Sequence, residues 1–283
     1  MVIDSHCHAW AHWPYRPAVP DPESRGRVEQ LLYEMDVNGV DQALIVCAQI
    51  AGNPENNEYV AEAVAQHPGR LYQVVDLDSS WSDTYHKPGA ADRLRHMAER
   101  WPMQGFTHYL AREDDGAWLT SSEGLRLFQT AAELGLAASL SSYPHQHKVI
   151  RGVAERFPSV PILIHHLGHV RVGEGADPGD LQEVLASARL PNIYIKVSGF
   201  YYATEARWDY PYPEVQTLVR AEYEHFGPHR LCWGSDYPVA RAFITYRQAL
   251  DLFRTHCSFV PEADQHWVLG DTLHRLLTAS SQL

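Results

Sequence analysis

The chain has 283 residues, 45% of them hydrophobic and 20% charged, a composition that supports a sizeable core and excludes a disordered chain. A formal net charge of −12 speaks against nucleic acid or an anionic membrane as partner, because both attract basic surfaces. No apolar run reaches the length of a membrane span and no secretory signal opens the chain, so a cytoplasmic protein is expected. The first predicted strand is VIDSHCH, followed by a helix with Val28, Leu31, Leu32 and Met35 at the spacing of a buried stripe and Gly39 as its stop. QALIVCA is the second strand, and NNEYVAEAVAQH a helix halted by Pro68. RLYQVVDL, MQGFTHYL and LAASLSS follow as strands three to five, each with an amphipathic stretch behind it. VPILIHH, NIYIKVSG and RLCWGSD are strands six to eight, alternating with helices up to the last one near QHWVLGDTLHRLL.

Eight short apolar strands, each followed by a helix, predict a (β/α)8 barrel with its site at the C-terminal mouth of the strands. A doubly wound open sheet is the weaker architecture, since no G-x-G-x-x-G turn follows strand one. No repeat or linker divides the chain, so residues 1–283 are expected to form one domain. Cys7, Cys47, Cys232 and Cys257 have no C-x-x-C spacing and read as buried reduced thiols.

Side chains alternate along a strand, so Asp4, His6 and His8 are expected to point into the barrel while Ile3, Ser5 and Cys7 face the helices. An H-x-H pair is unspecific alone, and many such pairs are two unrelated histidines. Here, however, strand six ends in His165 and His166, expected on opposite faces, and strand eight ends in Asp236 before a proline that stops it. Imidazoles and a carboxylate gathered at a barrel mouth are costly to bury unless they are paired or ligating.

The segments IDSHCHAW, ILIHHLGH, IYIKVSGFY and CWGSDYPV together resemble the amidohydrolase-related proteins, the amidohydrolase 2 group of the metal-dependent hydrolases. Within that group the chain looks most like the sugar-lactone and pyrone-dicarboxylate lactonases, over nearly its whole length. The resemblance implies a site built from His6, His8, His166 and Asp236, with His165 standing where the family often has aspartate. Strand four offers no lysine for a bridging carbamate, and Tyr143 stands where binuclear relatives carry a ligating histidine. One divalent ion is therefore expected, zinc by its donor set, with a metal-free site as the alternative the resemblance leaves open.

The implied chemistry is opening of a lactone by water, with Asp236 as general base and His166, His6 and His8 stabilising the developing oxyanion. The alternative is metal-dependent decarboxylation of an aromatic or unsaturated acid. A non-catalytic barrel is the bland reading, disfavoured by the gathered titratable groups. Lys196, Tyr143, Arg112 and Trp10 are the candidate substrate contacts. A barrel salt bridge with Asp4 competes for Lys196, and a solvated loop position for Arg112. The arginine that the family often has two residues after the strand-four glycine is Thr107 here. Trp10, Trp13, Tyr143, Phe200, Tyr201 and Tyr202 follow strands and could wall a pocket for a small ring substrate.

Overall fold

The computed structural model describes residues 1–279. Eight parallel strands pair in chain order: β1 (Ile3–Cys7), β2 (Gln42–Val46), β3 (Leu71–Asp76), β4 (Gly105–Tyr109), β5 (Ala137–Ser141), β6 (Ile162–Ile164), β7 (Ile193–Val197) and β8 (Leu231–Trp233). Helices run between them: α1 (Val28–Asn38), α2 (Asn56–Gln66), α3 (Ala90–Arg100), α4 (Ser122–Glu133), α5 (His147–Arg156), α6 (Pro178–Leu185) and α7 (Pro213–Phe226). α8 (Tyr246–Asp251), α9 (Glu262–His266) and α10 (Thr272–Ala279) follow β8. This is the expected TIM barrel. No described helix is long and apolar enough to cross a membrane.

The alternation of side chains builds two apolar layers. Ala43 and Ile45 on one face of β2, with Cys47 just past its end, join the layer under the helices. Leu44 and Val46 on its other face meet Val74, Ala137, Leu163 and Cys232 inside the barrel, and Leu273 and Leu277 of α10 pack against that interior set. The four cysteines are buried thiols, as expected. The barrel closes between β1 and the segment just past β8, where the Asp236 N–H donates to the His6 carbonyl at 2.7 Å and the His8 N–H to the Tyr237 carbonyl at 2.6 Å. That closure brings the tail of β8 beside both β1 histidines.

Strict alternation fails on β1. Asp4 pairs with Ala43 and Cys7 with Ile45, so three residues of β1 advance against two of β2, a bulge that inserts one extra residue. His6 and His8 keep the inward direction, but Asp4 is turned away from them. Its carboxylate accepts from the Ser235 backbone at 2.9 Å and from the Tyr246 hydroxyl of α8 at 2.9 Å. Ile3, expected under the helices, instead joins the interior set.

Candidate active site

Three imidazole nitrogens converge on one carboxylate oxygen. Asp236 Oδ1 lies 3.4 Å from His8 Nε2, 3.6 Å from His6 Nε2 and 4.0 Å from His166 Nε2. All four side chains are buried. Among the described residues neither His6 Nε2 nor Asp236 Oδ1 has a hydrogen-bond partner, although buried polar atoms are almost always satisfied.

The local backbone is bent to achieve this. Asp236 and His166 have φ of 55° and 47°, the left-handed region that non-glycine residues enter at a cost tolerated mainly at functional positions. Two glycines make room. A Cβ on Gly234 would lie 2.7 Å from the His6 Cβ, and one on Gly199 would lie 2.6 Å from His166 Nδ1. β6 ends at Ile164, and the chain then turns through His166–His169. His165 and His166 therefore do not point apart: both rings lie against His6, with centroids 4.5 and 4.4 Å away.

Hydrogen bonds behind the rings fix which nitrogen faces the centre. His8 Nδ1 is 2.6 Å from the Val46 carbonyl, which can only accept, so Nδ1 carries a proton and Nε2 is the nitrogen turned to the centre. His166 Nδ1 is 3.0 Å from Ser198 Oγ. Burial, then the neighbouring His166 and Lys196, hold the His6 imidazole well below its usual value, and burial takes His166 down to about 4. Burial pushes the Asp236 carboxyl up, but His166, His8 and the Tyr201 hydroxyl outweigh it, so the net shift is downward. His6 and His166 are thus held neutral beside a carboxylate, the protonation states that suit ligation of a cation.

The donor set fits a divalent ion. His8 Nε2 and Asp236 Oδ1 stand 3.4 Å apart, a separation that suits two ligand atoms sharing one cation. An ion about 2.1 Å from tetrahedral ligands separates those ligands by about 3.4 Å. His6, His8 and Asp236 form one compatible triad, and His6, His165 and His166 a second that overlaps it.

His166 also lines a cavity of about 320 Å³ with Tyr109, Arg112, Tyr143 and Tyr202. Arg171, Arg207 and His169 complete much of the wall. Arg112 lies over the Tyr143 ring and Arg207 over Phe243, while Arg171 pairs with Glu205. Two of the four expected substrate contacts, Arg112 and Tyr143, are therefore on this wall.

The other two lie behind the site. Trp10 is fully buried, donates to the Ala48 carbonyl at 2.9 Å, and stacks on His8 at 4.9 Å between centroids. Its size and apolarity serve to back the His8 ring. Lys196 is equally buried, with its amine 2.8 Å from Ser139 Oγ and 3.3 Å from His6 Nδ1. Those are its partners in place of Asp4, and burial lowers its pKa to about 7. Of the aromatic residues following the strands, Tyr143 and Tyr202 reach the wall, whereas Phe200 is buried in packing and Tyr201 is buried against Asp236. His145 and His147, near the end of β5, bond the Asp114 carbonyl and Ser187.

Sequence reasoning passed over His169 and Arg207. His169 stood within the quoted HHLGH, and its ring stacks on His166 at 5.3 Å. Arg207 sits in an irregular loop where no motif marks it.

The amidohydrolase family profile matches residues 3–278, and the chain belongs to that family. It is 27% identical to L-fucono-1,5-lactonase of Burkholderia ambifaria over 84% of this chain and 81% of the relative. It is 24% identical to 4-sulfomuconolactone hydrolase of Hydrogenophaga intermedia, covering 96% and 87%. Among solved structures, a zinc-bound amidohydrolase from Burkholderia multivorans superposes with a TM-score of 0.78 at 20% identity, over 98% of this chain and 99% of that one.

Proposed function

We propose that this chain is a zinc-dependent lactonase whose substrate is a small lactone carrying an anionic substituent. The observation that carries this reading is the place of His166, which belongs both to the converging His/Asp cluster and to the wall of an arginine-lined cavity. Relatives named as lactone hydrolases support the reaction class. Of the two substrates in those names, the sulfonated one agrees better with Arg112 and Arg207, for which no salt bridge is found among the described residues.

A zinc ion held by His6, His8, His166 and Asp236 would supply Lewis acidity at the lactone carbonyl. The chain's own groups do the rest. Arg112 and Arg207 orient the anionic substituent, and Tyr143 and Tyr202 flank the ring. Asp236, kept ionised, takes a proton from the attacking water and returns it to the ring oxygen as the ester C–O bond breaks. The deprotonated water oxygen forms the new bond to the acyl carbon, so the product is a hydroxy acid.

Neutral sugar lactones compared with carboxylated or sulfonated lactones, with ring opening followed by acid release, test the proposal. Turnover should concentrate on the anionic lactones, and Arg207→Ala should raise KM far more than it lowers kcat. Absence of turnover on every lactone, or carbon dioxide release from an aromatic acid, would overturn it.

A further inference from the structure

Tyr201 takes no part in the chemistry just described, yet it touches the group on which that chemistry depends. It lies in the short turn Phe200–Tyr202 that follows Gly199, and it is completely buried. Its hydroxyl donates a hydrogen bond to Asp236 Oδ2. Its ring is stacked on Phe243 at 4.5 Å and tilted against Tyr202 at 4.6 Å, so the phenol has little freedom to leave.

We infer that Tyr201 is a positioning residue that assigns separate tasks to the two oxygens of Asp236. The inference rests on the cation-site reading of the His/Asp cluster. A carboxylate can rotate about its last bond and offer either oxygen, or both, to a cation. With Oδ2 held by the phenol, Oδ1 is the oxygen that faces His6, His8 and His166. Oδ1 is also the atom left without a hydrogen bond, as a ligand atom would be. Asp236 therefore presents a single oxygen to the cluster. Tyr201 acts through Asp236 and does not line the cavity, in contrast to its neighbour Tyr202, which does. Partners that orient a ligating carboxylate from behind are typically worth about 10–100-fold in metal affinity or activity.

The test compares wild type, Tyr201→Phe, Asp236→Asn and the double variant, each stripped of metal and titrated with zinc against a chelating dye. Tyr201→Phe should weaken zinc binding about tenfold or more and leave the metal-free unfolding midpoint close to wild type. The loss should shrink or vanish in the Asp236→Asn background, which a merely structural role would not produce. Unchanged zinc affinity in Tyr201→Phe, or an equal loss in both backgrounds, would overturn the inference. If the wild type binds no zinc, the cation reading fails and lactone turnover decides for Tyr201. A tenfold lower kcat at constant KM then sustains the positioning role, and an unchanged kcat removes it. Should Tyr201→Phe not fold, Phe243→Leu, which loosens the ring but keeps the hydroxyl, carries the same comparison with a smaller expected loss.

Discussion

Two groups of histidines stand near the strand ends of this barrel, and they are built on opposite principles. Around β3 and β4, His86 lies 3.1 Å from Asp114 Oδ2 through Nδ1 and 3.4 Å from His108 Nε2 through its other nitrogen. His108 Nδ1 is 2.9 Å from the Leu77 carbonyl, and Trp118 stacks on His86 at 4.6 Å. Every ring nitrogen of this pair has a partner. At β1, β6 and β8 the rings are arranged so that His6 Nε2 and Asp236 Oδ1 have none. Histidine content alone would not separate the two groups. What separates them is buried polar atoms left unsatisfied and aimed at one point, which costs free energy that a bound cation offsets.

The comparison is most severely tested by exchanging the two groups in mutagenesis. Asp236→Asn should lower kcat by roughly 10²–10⁴-fold, the range of a lost general base, whereas His108→Leu should leave kcat within a few-fold of wild type. His108→Leu should instead cost about 1–3 kcal/mol of stability by orphaning the Leu77 carbonyl and the His86 ring, as urea unfolding would reveal. An equal kcat loss in both variants would erase the distinction.

The strand pattern made the barrel and the inward aim of His6 and His8 legible, because a period of two survives in any buried strand. It misplaced Asp4, since one inserted residue on β1 reverses direction without any mark in composition. It also separated His165 from His166, which holds only while a strand continues; β6 stops at Ile164 and left-handed backbone follows. Lys196 and Trp10 stand out in the sequence as strand-end candidates, but their depth behind His6 and His8 depends on barrel geometry that no local motif encodes. Arg207 was invisible because a loop residue acquires its role from where the loop happens to fold.

A third, smaller effect concerns pH. Burial holds His108 at about 4 and His147 at about 3, against an unfolded value near ~6.5. Their contribution is complete above the unfolded value. It is lost as pH falls from ~6.5 through the folded values, because the unfolded chain takes up protons that the buried rings refuse. The metal-free unfolding midpoint should therefore drop between pH 7 and pH 4.5, and a variant carrying His108→Leu should drop less steeply.

Glu222 refines the comparison at the small end of the scale. Among the described residues both its oxygens are buried on α7 without hydrogen-bond partners and belong to no cluster of possible ligands, so an orphaned atom by itself does not make a site. Burial raises its pKa well above the usual value. The cost of keeping the carboxyl uncharged is absent below the unfolded value near ~4.3 and grows as pH rises toward the folded one. Glu222→Met should stabilise the chain by about 1 kcal/mol or more at pH 8, with the gain vanishing near pH 4. A stability loss at pH 8 would mean that the carboxylate has a role that its surroundings do not reveal.

The most direct test of the central claim is metal content measured alongside lactone turnover on the same preparation. Wild type should hold one zinc per chain, lose turnover when a chelator removes it, and regain turnover on zinc addition, while His8→Ala should neither retain the ion nor recover. A chelator-stripped chain that opens lactones at the full rate would contradict the account, as would a His8→Ala chain that keeps its zinc.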